Sequence, residues 1–138
     1  MELTMSRENR LRAFLTRFEG APVVWGESDC SAAPALWWSE ETGRKIDLPR
    51  YASRDEAHAI IERMGGLLAV WDDIAAQVGG MERIGEPEIG DVGIIETRLH
   101  GQIGGILGAG RILIIRKDNG SWHPFGPVRQ FLRVYETP

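Results

Sequence analysis

From Ser6 to Phe18 the apolar residues Leu11, Phe14, Leu15 and Phe18 recur at i, i+3, i+4 and i+7, the spacing of one face of a helix. Gly20 and Pro22 break that pattern, and Pro22-Val23-Val24-Trp25-Gly26 leads as a short apolar, non-helical stretch into Glu27-Ser28-Asp29-Cys30. Asp29 is a good N-cap, because its carboxylate can accept from the free amides of a first helical turn. The spacing therefore predicts a second helix with Cys30 at its first position, running through Leu36, Trp37 and Trp38 to about Thr42 and stopping at Gly43. Pro34 falls in the second turn of that helix, where its missing N–H leaves the Cys30 carbonyl without a partner, so a bend or a bridging water is expected there. Ser53-Arg54-Asp55-Glu56 fits a capping box, with Ala57, Ile60, Ile61 and Met64 as the apolar stripe and Gly65-Gly66 as the stop. Leu67 to Gln77, closed by Gly79-Gly80, predicts a fourth helix.

After Pro87 the period changes to that of strands. Gly90 to Ile95 and Gln102 to Leu107 predict two strands, and Gly108-Ala109-Gly110 turns the chain into a third from Arg111 to Ile115. Asp118-Asn119-Gly120 has the composition of a hairpin turn, since Asn and Gly tolerate positive φ, and a last strand is expected over Phe131 to Tyr135. Helices followed by an antiparallel meander make the fold class α+β. No repeat, linker or low-complexity tract divides the sequence, so a single domain over 1–138 is expected, helical over 1–80 and stranded over 88–138. The sequence leaves the order of the C-terminal tail open, since polar residues such as Glu136 and Thr137 can fray.

Composition narrows the function classes. The chain has 138 residues, 43% hydrophobic and 26% charged, with one cysteine and three histidines. At this length roughly 68% of the unfolded surface is buried on folding, so neither a disulfide nor a structural metal is needed. A single Cys with scattered His excludes the usual zinc frameworks and suggests a reducing compartment. The longest apolar runs fall far short of the ~20 residues of a membrane helix, and MELTMSRENR lacks the apolar region of a signal peptide. The expectation is a protein made in the cytoplasm, without membrane insertion. A formal net charge of −4 argues against nucleic acid as the main partner. Charge is uneven: residues 1–100 carry 11 basic and 18 acidic side chains, residues 101–138 carry 5 and 2. That tail is either ordinary solvated surface or a docking surface.

Cys30 is the most informative position. A cysteine at a helix N-terminus lies in the positive end of the helix dipole, which favours the nucleophilic thiolate, while the adjacent Asp29 opposes it. The alternative is that Cys30 packs as a small apolar side chain. His100 lies in Leu99-His100-Gly101, which reads as a turn before a strand. His58 falls on the polar side of the third helix, and His123 follows Trp122 with no spacing that requires a role. Trp37 and Trp38 are consecutive and cannot share one helix face, so one is expected in the core and the other at its edge or against a partner; Trp25, Trp71 and Trp122 are read as core. Asp72-Asp73 with Glu86, Glu88 and Asp91 lack the spacing of a calcium loop, and the glycines at 104, 105, 108 and 110 lack the Gly-Lys-Ser/Thr of a phosphate loop. No cofactor and no metal are therefore expected.

Trp25-Gly26-Glu27-Ser28-Asp29-Cys30 at a helix start, then Gly90-Asp91-Val92, then Gln102-Ile103-Gly104-Gly105-Ile106-Leu107-Gly108-Ala109-Gly110-Arg111, resembles the layout of NlpC/P60-type cysteine peptidases. The closest likeness is to a small, divergent branch carried by tailed phages and prophages beside their tail-tip genes. The resemblance spans residues 22 to about 115. It implies a papain-like α+β fold and cleavage of amide bonds in peptidoglycan stem peptides, with a His base opening a strand and a polar residue on the next strand orienting it. Here the base position is held by Gln102, and the orienting position falls near the apolar Ile114. A glutamine amide cannot accept the cysteine proton near neutral pH. His100, two residues before Gln102, shares its strand face if the strand extends that far.

The expectation that follows is a degenerate peptidase-like domain in a virion tail tip, partnered by tail-tip or hub proteins, with Cys30 kept at the nucleophile position. Two alternatives stand beside it. One is an active peptidase or amidase acting on peptidoglycan peptides during DNA entry, with His100 or His123 as base. The other is an inactive domain that binds an amide-containing ligand in its cleft.

Overall fold

A computed structural model describes residues 5–138. The expectation about the chain's opening residues falls partly on 1–4, outside the described residues. Four helices come first: α1 (Arg7–Phe18), α2 (Ala33–Thr42), α3 (Arg54–Arg63) and α4 (Leu67–Val78). Six strands follow: β1 (Met81–Glu82), β2 (Val92–Thr97), β3 (Gly101–Leu107), β4 (Leu113–Arg116), β5 (Trp122–Phe125) and β6 (Arg133–Glu136). They form one antiparallel sheet in the order β1-β6-β2-β3-β4-β5. The α+β class and the helices-then-sheet order are as the residue pattern predicts.

The helix boundaries follow from their caps. Ser6 Oγ accepts from the Asn9 amide and Ser53 Oγ from the Glu56 amide. The expected capping box is only half formed, because Glu56 Oε2 accepts from Ala52 N rather than from Ser53 N. Gly43 and Gly79 end α2 and α4 with left-handed φ values of 68° and 75°, a conformation that glycine adopts without the steric cost of a Cβ.

The helices cover one face of the sheet. Val92, Ile94 and Ile106 of β2 and β3 meet Leu11 and Phe14 of α1, Trp37 and Trp38 of α2, and Val70, Trp71 and Ile74 of α4. The alternate residues Ile95, Leu107, Leu113 and Val134 point to the other face, where Val128 and Phe131 of the β5–β6 connection cover them. Both consecutive tryptophans are buried, which corrects the expectation that one would be left at the edge. Both rings pack into the core, and each indole N–H has an acceptor: Trp37 Nε1 donates to Gly90 O at 2.8 Å and Trp38 Nε1 to Thr137 Oγ1 at 2.6 Å.

In the second half β2 begins at Val92 rather than Gly90, β6 at Arg133 rather than Phe131, and the two-residue β1 was not expected. Residues 109–111 form a 3-10 turn with Arg111 at φ 62°, so β4 starts at Leu113 rather than Arg111. Trp122–Phe125, for which no strand was expected, pairs with β4 and completes the hairpin whose turn is Asp118-Asn119-Gly120. The C-terminus does not fray: Thr137 is buried, its amide donates to Asp91 Oδ1, and Arg7 holds the carbonyls of Thr137 and Pro138 at 2.9 and 2.8 Å.

Candidate functional site

The turn that carries Cys30 is built by Asp29. Its buried carboxylate accepts from Gly26 N at 2.6 Å, Ser31 N at 3.0 Å and Ala32 N at 3.3 Å, and its backbone carbonyl accepts from Ala33 N at 2.7 Å. Asp29 therefore orders a single turn rather than capping α2 itself, which corrects the expectation that Cys30 opens the helix. The regular helix starts only at Ala33, because Pro34 has no N–H for the Cys30 carbonyl. Cys30 lies in the turn that precedes α2 and is half-buried.

A second layer fixes this turn from outside it. Tyr51 Oη lies 3.0 and 2.9 Å from the two Asp29 carboxylate oxygens and donates its proton to them. Burial and the Asp29 charge both push the Tyr51 phenol far above its ordinary value, so it remains a donor. On the sheet side, buried Arg116 of β4 donates to Ser28 O at 3.3 Å, Phe18 O at 2.7 Å, Gly120 O at 2.6 Å and Ala21 O at 3.1 Å. Its guanidinium lies 4.7 Å from the centre of the Trp122 ring. Burial lowers its pKa and the Glu19 charge raises it in part, yet an arginine remains charged throughout the physiological range. One cation on β4 thus pins four carbonyls of the segment from α1 to the cysteine turn and of the hairpin.

These surroundings hold the thiol in its protonated form. Burial pushes the Cys30 pKa up, the Asp29 charge pushes it the same way, and the smaller opposing effects of Ser31 and Arg54 do not reverse the shift. Among the described residues the Sγ has one side-chain partner, Ser31 Oγ at 3.9 Å. No imidazole is hydrogen-bonded to it.

The other candidates are placed as follows. Gln102 lies on β3 opposite Glu96 of β2, in the alternation that faces the helices, and its Oε1 comes beside Gly66 at the start of α4. No hydrogen bond joins it to Cys30 among the described residues. His100 is exposed in the β2–β3 turn, where its amide donates to Thr97 Oγ1 at 3.0 Å. Gly101, at φ 66°, interrupts the alternation that would have set His100 and Gln102 on one face. His58 is exposed on α3, and His123 is exposed on β5 opposite Ile115. Ile114 pairs with Ile106, four positions along β3 from Gln102, and so does not stand opposite it.

Tyr51 and Arg116 are the two residues of this site that the sequence did not mark. Tyr51 lies in an irregular segment 22 positions from Asp29. Arg116 did carry a signal, a charged residue at the end of an apolar strand. Among the described residues no group of three or more His, Cys, Asp or Glu side chains could hold a metal ion, and no helix is long and apolar enough to cross a membrane.

With this geometry in place, the sequence matches one family over residues 4–136. The chain belongs to the DUF6950 family, described as a domain of unknown function. No curated protein matches it. The match covers nearly the whole chain, so the cysteine turn, the sheet and the C-terminal strand all lie within the DUF6950 region.

Proposed function

We propose that this DUF6950 chain is a papain-like, NlpC/P60-like domain that keeps the cysteine turn of a peptidase without its base, and that it serves as an assembly component of a phage or prophage tail tip. The observation that carries the reading is the isolation of Cys30. A cysteine peptidase needs a thiolate formed by a base within hydrogen-bond reach, about 2.6–3.2 Å. Among the described residues the one side-chain partner of Sγ is a hydroxyl at 3.9 Å, and burial with Asp29 favours the neutral thiol. Gln102, at the position the resemblance gives to the base, has an amide that cannot take the proton.

Retention of the turn's architecture supports a structural use. Asp29, Tyr51 and Arg116 order the whole segment 18–32 against the sheet, through contacts that a folded surface requires whether or not the thiol reacts. The partners in this reading are other tail-tip or hub proteins. Buried Trp37 and Trp38 do not supply a docking patch, and the large exposed apolar residues lie elsewhere, Val24, Met81, Ile84, Leu99 and Leu132 among them.

Complementation in a phage that carries the gene tests both halves of the reading. Deletion is expected to abolish complete tails, and a Cys30→Ala copy is expected to restore infectious particles to the wild-type titre. Normal tails after deletion would overturn the assembly role. Failure of a folded Cys30→Ala variant to restore infectivity would return the peptidase reading to first place.

A further inference from the structure

Of the four helices, α3 is the least embedded. It buries Ala57 alone, with Ile60 and Ile61 half-buried, whereas its neighbour α4 buries six residues. Between the two lies an apolar cleft, walled by Ala57, Ile60 and Ile61 on one side and by Val70 and Ile74 on the other. With α3 in place the cleft has a volume of about 20 Å³, room for about one water. Ser31 lines the same cleft, and its Oγ is the group that meets Cys30 Sγ at 3.9 Å. The cleft therefore adjoins the thiol, and α3 closes it.

The two ends of α3 are held differently. Its joint with α4 is built on Gly65 and Gly66, at φ 101° and 112°, and paired glycines absorb changes in φ and ψ at low cost. At the other end Tyr51 is tied to Asp29, which fixes the chain up to three residues before the helix. Arg54, the first residue of α3, then pairs with Asp118 in the β4–β5 turn. Among the described residues this is the one ion pair that joins α3 to another element. The turn is a firm post, because Arg116 anchors the hairpin to the carbonyls of Phe18, Ala21 and Ser28. The side chains of Arg54 and Asp118 are 60% and 37% exposed, so their attraction is weak and screened by salt.

We propose that α3 is a lid over the apolar cleft beside Cys30, hinged at Gly65-Gly66 and latched to the β4–β5 turn by Arg54 and Asp118. When the latch breaks, the N-terminal end of α3 swings away from α4 and uncovers Ser31, Val70 and Ile74 next to the thiol. An element with so little buried apolar surface opens at low free energy, and lids of this kind move in microseconds to milliseconds. The latch sets access to the cysteine from this side, and the device does not rest on the tail-assembly reading.

Methyl relaxation dispersion on the intact chain tests it, together with the rate of Cys30 alkylation by iodoacetamide, in wild type, Arg54→Gln and Asp118→Asn. Exchange broadening is expected at the methyls of Ile60, Ile61, Val70 and Ile74, and not at Ile94 or Ile106 in the sheet core. Each variant should raise the open population about twofold to fivefold, the range for losing an exposed ion pair, and the alkylation rate by the same factor. Both substitutions lie on the surface and should leave the melting temperature unchanged. Two variants are needed because the Arg54 charge also favours the Cys30 thiolate. A latch accelerates alkylation in both, whereas charge alone accelerates it in Asp118→Asn and slows it in Arg54→Gln. That second pattern, flat dispersion in all three proteins, or alkylation that stays constant while the open population rises would overturn the proposal.

Discussion

At the scale of single residues, Asp29 does more than order the backbone turn ahead of α2. Its carboxylate satisfies three backbone amides and the Tyr51 hydroxyl in a buried position. Removing it strands several donors at once, each costing of order 1 kcal/mol or more. We expect Asp29→Ala to lower the unfolding free energy by about 2–4 kcal/mol in urea titrations. Tyr51→Phe should cost less, about 1 kcal/mol, because the three amides keep their acceptor. Equal losses for the two variants would show that the cysteine turn is held by something other than this carboxylate. Asp29 was legible because N-cap spacing is local, with acceptor and donors two or three residues apart. Tyr51 was not, because a contact across 22 positions from an irregular segment leaves no periodic trace.

At the scale of elements, legibility followed the period. The helices announced themselves through serine caps, glycine stops and apolar stripes, and β2 and β3 through runs of Ile and Val bounded by glycine. β5 was hidden because Trp122-His123-Pro124-Phe125 carries a proline and shows largely exposed side chains, as an edge strand tolerates. β1 has two residues, too few for any pattern. The hairpin of β4 and β5 is joined to the cysteine turn chiefly through Arg116, and a lysine there could not reach four carbonyls in different directions. Arg116→Lys is therefore expected to cost about 2–3 kcal/mol. It should also speed hydrogen exchange at Gly20 and Gly120, the amides of the junction between α1 and the hairpin. Unchanged exchange there, with lowered global stability, would place the role of Arg116 elsewhere. Gly120 is needed at this junction, since its φ of 87° and the close approach of the Ala21 carbonyl leave no room for a Cβ.

For the molecule as a whole, Arg7 of α1 ties α2 to the residues that follow β6. Glu41, whose side chain is 4% exposed, accepts from Arg7 at 3.1 Å and from Arg10 at 2.7 Å, while Arg7 also holds the last two carbonyls. Burial alone would raise the Glu41 pKa, but the two arginines outweigh it and hold the carboxyl below its ordinary value. A carboxyl lowered in the folded state contributes its full stability above its unfolded value, about 4.3, and loses it as pH falls through the folded value. Wild type should therefore lose stability below about pH 4 more steeply than Glu41→Gln does. Parallel pH profiles would show that the pair does not join α1, α2 and the C-terminus energetically. This closure was not legible from sequence, because Arg7, Glu41 and Pro138 become neighbours only when the sheet is complete.

The central claim is that Cys30 sits in a peptidase-like turn without a base and is held as a neutral thiol. The pH dependence of its alkylation by iodoacetamide, in wild type and in His100→Ala and His123→Ala, tests this most directly. The account predicts slow modification at pH 7, an apparent pKa above the ~8.5 of a free cysteine, and the same profile in all three proteins. An apparent pKa well below that value, restored to normal by either histidine substitution, would contradict it and establish a working Cys–His pair.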